Sequence, residues 1–363
     1  MKLVEDTTFG GGLPSDGEAT SGFFNLQKIR TQKKFVPRKS LGQNFLKSEP
    51  ALKKIIEAGE VKKDDIILEI GPGRGKLTEK LLERAGLVIA VEKDRELFEF
   101  LKTKFGKEIE TNAFVLIHGD VLNFDVRETI LKFFSGPRIS GSLSRPDHSK
   151  NLELLRYKII ANIPYNITGA ILRKFLSAKG GSASGGKKFL TARNQPERMV
   201  LMVQKEVAER ILGRRENISY SKPSHGRKLG KESILSISVK AYGEPKMIMK
   251  VPARYFSPTP QVDSAVILIK NISRKNFEIP AQPSPKERER FGASPFGGGM
   301  EGVNEERFWK IVKAGFAHKR KKLSGNLKNL VSLEKTNLAV FKDKRAEDLS
   351  LTDWILLART PNL

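Results

Sequence analysis

From residue 66 the chain alternates between short unbroken apolar runs and longer amphipathic stretches. IILEI (66–70), LVIAV (87–91), FVLI (114–117), KIIA (158–161) and MVLMV (199–203) are dominated by large aliphatic and β-branched side chains. Runs of this length without polar alternation predict strands covered on both faces, as in a parallel sheet. Between them, Leu77, Leu81 and Ala85 share one face of a helix predicted over 75–85, and 94–105 and 205–212 read as further helices. Strands alternating with amphipathic helices predict a doubly wound α/β sheet. After 234 the helical spacing stops. ILSISVKAY (234–242), MIMKV (247–251) and VDSAVILI (262–269) read as strands in direct succession, which predicts an antiparallel extension of that sheet.

Other stretches divide the chain. Residues 1–26 are Gly-rich and expected to be disordered, and 27–40 carry six basic residues and no acid, a basic arm. Residues 275–304 are rich in Pro, Gly and charge and read as a linker. Beyond them Phe308, Ile311, Val312 and Phe316 fall at helical spacing. The expected organisation is an N-terminal arm (1–35), an α/β domain (36–271), a linker (272–304) and a basic helical domain (305–363). Segments 135–156, 177–197 and 214–232 read as surface insertions.

Charge narrows the partner. Among 363 residues, 66 Lys and Arg face 41 Asp and Glu, a net +25. That excess points to a polyanion, nucleic acid first and an anionic membrane surface second. The absence of cysteine excludes a thiol nucleophile, a disulfide framework and Cys-ligated zinc. His118, His148, His225 and His318 show no metal-ligand spacing, so no metal is expected. No apolar run approaches the roughly 20 residues of a membrane span. Acidic residues at 5, 6, 16 and 18 fit neither a secretory signal nor a transit peptide, and a cytoplasmic location is expected.

The strand ends carry the chemistry. ILEIGPGRGKLTE sets Gly71, Gly73 and Gly75 in a strand-to-helix turn, where backbone approaches a ligand closely, or where a tight turn simply needs positive φ. A dinucleotide fingerprint would need a small residue at 76, which is Lys, and Pro72 removes a donor. Glu92 ends the next strand, 21 residues after Gly71, where a carboxylate accepts from both hydroxyls of an unphosphorylated ribose or serves as a helix N-terminal acid. Asp120 follows the third strand, as an adenine-amine acceptor or a cap. A ribose, an adenine and an amino-acid tail without pyrophosphate describe S-adenosylmethionine better than NAD.

The fourth strand ends in ANIPY. Beside a methyl donor, the Asn162 side-chain oxygen and a backbone carbonyl near Ile163 or Pro164 can hold the two N–H groups of an exocyclic amine. Such acceptors act where positive charge develops. Pro164 stiffens the turn. Tyr165 offers a face for a base taken out of its stack, its ring rather than its hydroxyl being the part expected to act. The same tetrapeptide also fits an ordinary β-turn.

RKSLGQNFL, LEIGPGRGKLTE, VIAVEKD, HGDVL, ANIPYNI, MVLMVQKEVAERI and FSPTPQVDSAV occur in this order. The set, spanning about 36–271 and continuing weakly through FWKIVKAGFAHKRKKLSGNLK, resembles the small-subunit ribosomal RNA adenine N6,N6-dimethyltransferases. The resemblance implies a Rossmann-like, S-adenosylmethionine-dependent methyltransferase with a small helical C-terminal domain. Such an enzyme acts as a monomer on immature small ribosomal subunits and dimethylates two adjacent adenines near the rRNA 3′ end. It implies that Asn44 and Leu46 close over the cofactor, that Gly71 approaches its methionine part, and that Gly73 also binds the cofactor. Glu92 would then hold the ribose, Asp120 the adenine, and Asn162 would stand between cofactor and target. Phe256 resembles the family's second target-facing aromatic, although by its position alone it reads as a core plug. GKESILSIS after a long basic insert departs from the family pattern. Enzymes that methylate large-subunit rRNA share the catalytic motifs and are the nearest alternative. A noncatalytic RNA-binding assembly factor and a DNA adenine methyltransferase are the others.

Overall fold

Alternation inside each apolar run decides which layer a residue enters. The computed structural model describes residues 37–38, 41–135, 156–177, 195–213, 231–277, 303–331 and 339–360. Strand β2 (Ile66–Ile70) sends Ile66, Leu68 and Ile70 into one hydrophobic cluster and Ile67 into another. Successive Cβ atoms point to opposite faces. The sheet is therefore covered on both sides, and its strands need no polar alternation.

Seven strands stand in the order β4 (Phe114–His118), β3 (Leu87–Glu92), β2, β5 (Lys158–Asn162), β6 (Arg198–Gln204), β9 (Ser264–Lys270) and β7 (Glu244–Val251). The first five run parallel, and β9 is antiparallel to both its neighbours, as the apolar patterning predicts. The chain moves outward from β2 through β3 to β4, then returns to place β5 on the other side of β2. Ligands of open α/β sheets bind at such a reversal, beyond the C-terminal strand ends.

Helices α1 (Glu49–Gly59), α2 (Lys76–Leu82) and α3 (Arg95–Lys104) cover one face, their Leu52, Ile55, Leu81 and Leu101 packing with Ile67, Val88 and Ile160. Ser48 caps α1 by accepting from the Ala51 amide, and Asp94 caps α3 by accepting from the amides of Glu96 and Leu97. After α3 come the short α4 (Gly106–Glu110), then α5 (Val126–Ser135), α6 (Thr168–Leu176) and α7 (Lys205–Leu212). Ile130, Ile171 and Ile211 place α5 to α7 on the opposite face.

One predicted strand is a helix. Residues Ile234–Lys240 form α8 rather than the first strand of the extension. Ser233 accepts from the Ser236 amide while Ser236 accepts from the Ser233 amide, a reciprocal cap that nucleates a helical turn. The extension begins at Glu244, with β7.

A two-stranded ribbon lies apart from the main sheet. In it β1 (Phe45–Leu46) pairs antiparallel with β8 (Phe256–Ser257), Leu46 opposite Phe256. Beyond the sheet, α9 (Glu305–Gly315), α10 (Leu323–Leu327) and α11 (Leu351–Arg359) bury Phe308 and Trp354 in the cluster that also holds Ile159 and Ile267. Residues 272–277, at the start of the expected linker, are tied to the turn between α8 and β7. The Ser273 amide donates to the Tyr242 carbonyl and the Asn276 side chain to the Ala241 carbonyl, at 2.8 Å each. Glu305 accepts from the Tyr242 hydroxyl and pairs with Arg274, fixing the start of α9. The described residues from 41 onward form one compact unit. The expected N-terminal tail and nearly all of the basic arm lie outside the described residues. So do most of the linker and residues 136–155, 178–194 and 214–230 of the three insertions. Among the described residues, no helix is long and apolar enough to cross a membrane.

Candidate active site

The turn after β2 takes its form from three glycines with φ of +65° at Gly71, +60° at Gly73 and +74° at Gly75. Two of them are also required by packing. A Cβ on Gly73 would stand 3.0 Å from the Phe45 ring, and one on Gly75 would stand 2.6 Å from Phe105. The turn is thus clamped between β1 and the end of α3.

A cleft opens beside this turn at the chain reversal. Its walls include Gly42, Asn44, Leu46, Glu69, Gly71, Gly73, Glu92, Lys93, Asp120, Asn162, Pro164 and Tyr165. Every sequence-predicted site residue is therefore at the cleft except Phe256. Phe256 is 1% exposed and packs with Leu46, Leu52 and Val251, so in this conformation it is a core plug.

Glu92, at the end of β3, is 5% exposed. One carboxylate oxygen accepts from the Gly73 amide at 3.1 Å and the other from the Asp94 amide at 2.8 Å. Burial pushes its pKa up, against the pull of those amides. Of the two roles its sequence position allows, the structure shows Asp120 in the capping one, at the edge of the cleft. It caps the short turn Val121–Asn123 by accepting from the Leu122 amide at 2.9 Å, and it faces the cleft. Its second oxygen accepts from Lys93 Nζ at 2.8 Å. Burial opposes ionisation there, but the Lys93 ammonium and the Leu122 amide hold the carboxyl below its ordinary value.

Asn162 is oriented by the ribbon segment. Its Nδ2 donates to the Asn44 carbonyl at 3.1 Å, and Asn44 Nδ2 donates to the Gly42 carbonyl at 3.2 Å. With its nitrogen engaged, Asn162 presents Oδ1 as an acceptor. The Pro164 carbonyl accepts from the Ile167 amide at 3.3 Å, and the Tyr165 carbonyl from Thr168 Oγ1 at 3.1 Å. Of the two backbone acceptors considered beside Asn162, the Ile163 carbonyl is the one outside these turn bonds. The Tyr165 hydroxyl lies 2.6 Å from Ser264 Oγ, and burial raises its pKa.

Sequence reasoning missed three residues. Glu69, inside β2, is 1% exposed, lines the cleft, and accepts from Thr78 Oγ1 at 2.7 Å. Burial, with a further contribution from Glu92, pushes its pKa up to about 8. The signal for it was a lone carboxylate within an otherwise apolar run, IILEI. Lys93 carried no signal beyond its place next to Glu92. Ser264 carried none at all, because its partner is 99 residues away. The cleft thus gathers three carboxyl groups, of which Asp120 is held ionised beside Lys93 and Glu69 keeps its proton near neutral pH. Asn162 and Tyr165 add an amide oxygen and an aromatic side chain to its lining. These residues fit a sulfonium-bearing nucleoside.

Comparison with known proteins agrees. The family model of ribosomal RNA adenine dimethylases matches residues 34–282. The chain is 35% identical to a ribosomal RNA small subunit methyltransferase A from Dehalococcoides mccartyi, over 87% of this chain and 86% of that one. It is 35% identical to the protein of the same name from Nostoc punctiforme, over 89% and 94%. Among solved structures, a dimethyladenosine transferase from Plasmodium falciparum has a TM-score of 0.54 at 23% identity, over 86% of this chain and 95% of that one. The 23S rRNA methyltransferase ErmE has the same TM-score at 20% identity, over 86% and 98%. At these identities the two structures establish the fold alone, a Rossmann-like α/β sheet.

Proposed function

The chain belongs to the ribosomal RNA adenine dimethylase family, and on that premise we propose that it dimethylates two adjacent adenines near the 3′ end of small-subunit rRNA, using S-adenosylmethionine. The observation that carries this reading is the Asn162 amide, whose oxygen faces the cleft because its nitrogen is bound to Asn44. Bound S-adenosylmethionine supplies an electrophilic methyl group. Glu92 accepts from the ribose hydroxyls, Asp120 from the adenine amine, and the backbone at Gly71 and Gly73 admits the methionine part. Asn44 and Leu46 close the cleft from the ribbon side.

The adenine N6 amine is a weak nucleophile because its lone pair is delocalised into the ring. Asn162 Oδ1 and the Ile163 carbonyl, accepting its two N–H groups, draw the nitrogen toward tetrahedral geometry and favour the cationic amine that forms. Preorganised acceptors of this kind are typically worth about 10²–10³ in rate. Tyr165 gives the extruded base a stacking face. Phe256, buried here, is proposed as the second aromatic face in the RNA-bound enzyme. The helical region 305–363 and the basic segments 28–39 and 214–231 are proposed to contact rRNA, with the enzyme working as a cytoplasmic monomer on immature subunits.

The test is transfer of labelled methyl groups into undermethylated small subunits, with large-subunit RNA in parallel. Label at two adjacent small-subunit adenines, lost in Asn162→Ala without loss of folding, is the expected result. Label confined to large-subunit RNA would redirect the assignment to the alternative substrate. Wild-type transfer by Asn162→Ala would reduce the tetrapeptide to a turn.

A further inference from the structure

A hydroxyl with no exposure to water must be paired within the protein or destabilise it. Ser264 is such a residue. It opens β9, pairs in register with Gln204 of β6 and Val251 of β7, and is 0% exposed. That position is the C-terminal end of β6, one strand away from the end of β5 that bears Asn162. From there its Oγ lies 2.6 Å from the Tyr165 hydroxyl, across 99 residues of sequence. Tyr165 lines the cleft, its backbone carbonyl bonded to Thr168 and its phenol to Ser264.

We propose that Ser264 is a positioning residue, fixing where the Tyr165 ring lies before the target base arrives. The proposal rests on the reading of Tyr165 as the stacking face, and it changes what the phenol oxygen is for. On sequence alone the ring is the acting part and the hydroxyl dispensable. With Ser264 bonded to it, the hydroxyl anchors the far end of the ring and keeps the side chain from swinging away from the base. Sites whose supporting bonds hold the acting group in place lose rate when those bonds are removed, even though the removed atoms never touch substrate.

Four variants test this: Tyr165→Phe, Ser264→Ala, the double variant and Tyr165→Ala. Single-turnover methyl transfer into undermethylated small subunits should slow about 2- to 12-fold in each of the first two, the value of one hydrogen bond. The double variant should be no slower than either, since both remove the same bond. Tyr165→Ala should be slower than all three. A second measurement does not depend on RNA: with tyrosine labelled at the ring carbon bearing the hydroxyl, the protein gives five resonances. The one absent in Tyr165→Phe should shift in Ser264→Ala, while methyl-donor affinity stays as in the wild type and the protein remains folded, its melt lowered only as the loss of one buried hydrogen bond requires. An unshifted resonance, or rate reductions of Tyr165→Phe and Ser264→Ala that multiply in the double variant, would overturn the proposal. Wild-type transfer by Tyr165→Ala would instead overturn the stacking role on which it rests.

Discussion

Glu69 and Glu92 lie on adjacent strands in the same cleft, yet their environments differ enough to separate their roles. Glu92 accepts from two backbone amides, so its carboxylate is bound where it is buried. Glu92→Ala should weaken S-adenosylmethionine binding by about 1–3 kcal/mol through the missing charge-assisted bonds to the ribose. Calorimetry checks this, and unchanged affinity would remove Glu92 from the site. Glu69 has one hydroxyl donor, from Thr78, and a pKa raised from 4.5 to about 8. Between those values the folded chain keeps a proton that the unfolded chain has released. The stability of the ligand-free protein should therefore fall as pH climbs through that window, by an amount on the order of a few kcal/mol. Glu69→Gln removes the effect while keeping an acceptor for Thr78. Its urea midpoint should exceed that of the wild type near pH 8, and the gain should vanish near pH 4.5. A gain that does not change with pH would show that Glu69 does not titrate there.

At the scale of elements, the glycine turn is where backbone conformation and packing make the same demand. Gly75 combines φ +74° with Phe105 and Leu101 standing 2.6 and 3.0 Å from where a Cβ would lie. Gly75→Ala should destabilise by roughly 2–4 kcal/mol, adding left-handed backbone strain to overpacking. Gly106→Ala, at a position with nothing within 4 Å, should be close to neutral in the same urea series. Equal destabilisation by both would place the cost in replacing glycine as such rather than in the turn. The turn was legible in GPGRG because glycine spacing is a local signal. The helix over 234–240 was not. Leu235, Ile237 and Val239 alternate with small or polar residues as a strand would, and only the Ser233–Ser236 cap favours helix. Period-2 patterning in a seven-residue segment is too short to outweigh a cap and the packing that follows it. The β1–β8 ribbon escaped notice for a related reason: two residues on each side, 45–46 and 256–257, carry no pattern.

Across the whole molecule, the order of strand ends placed the cleft before any side-chain geometry was known, because chain reversals in such sheets are set by connectivity. Bonds between distant segments, such as Asn162 with Asn44 and Tyr165 with Ser264, leave no trace in either segment alone. Net charge is equally global, and it yields the last prediction. Lys319, Arg320, Lys321 and Lys322 are exposed between α9 and α10. The Lys322–Asp343 pair at 2.8 Å has both side chains 64% exposed and contributes little to stability. Neutralising all four should leave the fold intact, since none enters the core cluster around Phe308 and Trp354. If the run meets rRNA phosphates, its removal should weaken RNA binding and flatten the dependence of log affinity on log salt by roughly 0.7–0.9 for each phosphate left without a basic partner. Methyl-donor affinity should not move, because the cleft is built from residues 41–121 and 162–167. A salt titration with small-subunit RNA, beside calorimetry with the donor, separates the two effects. A slope unchanged from the wild type would make the run a solvated face, and the polyanion would then have to be met by the remaining basic segments.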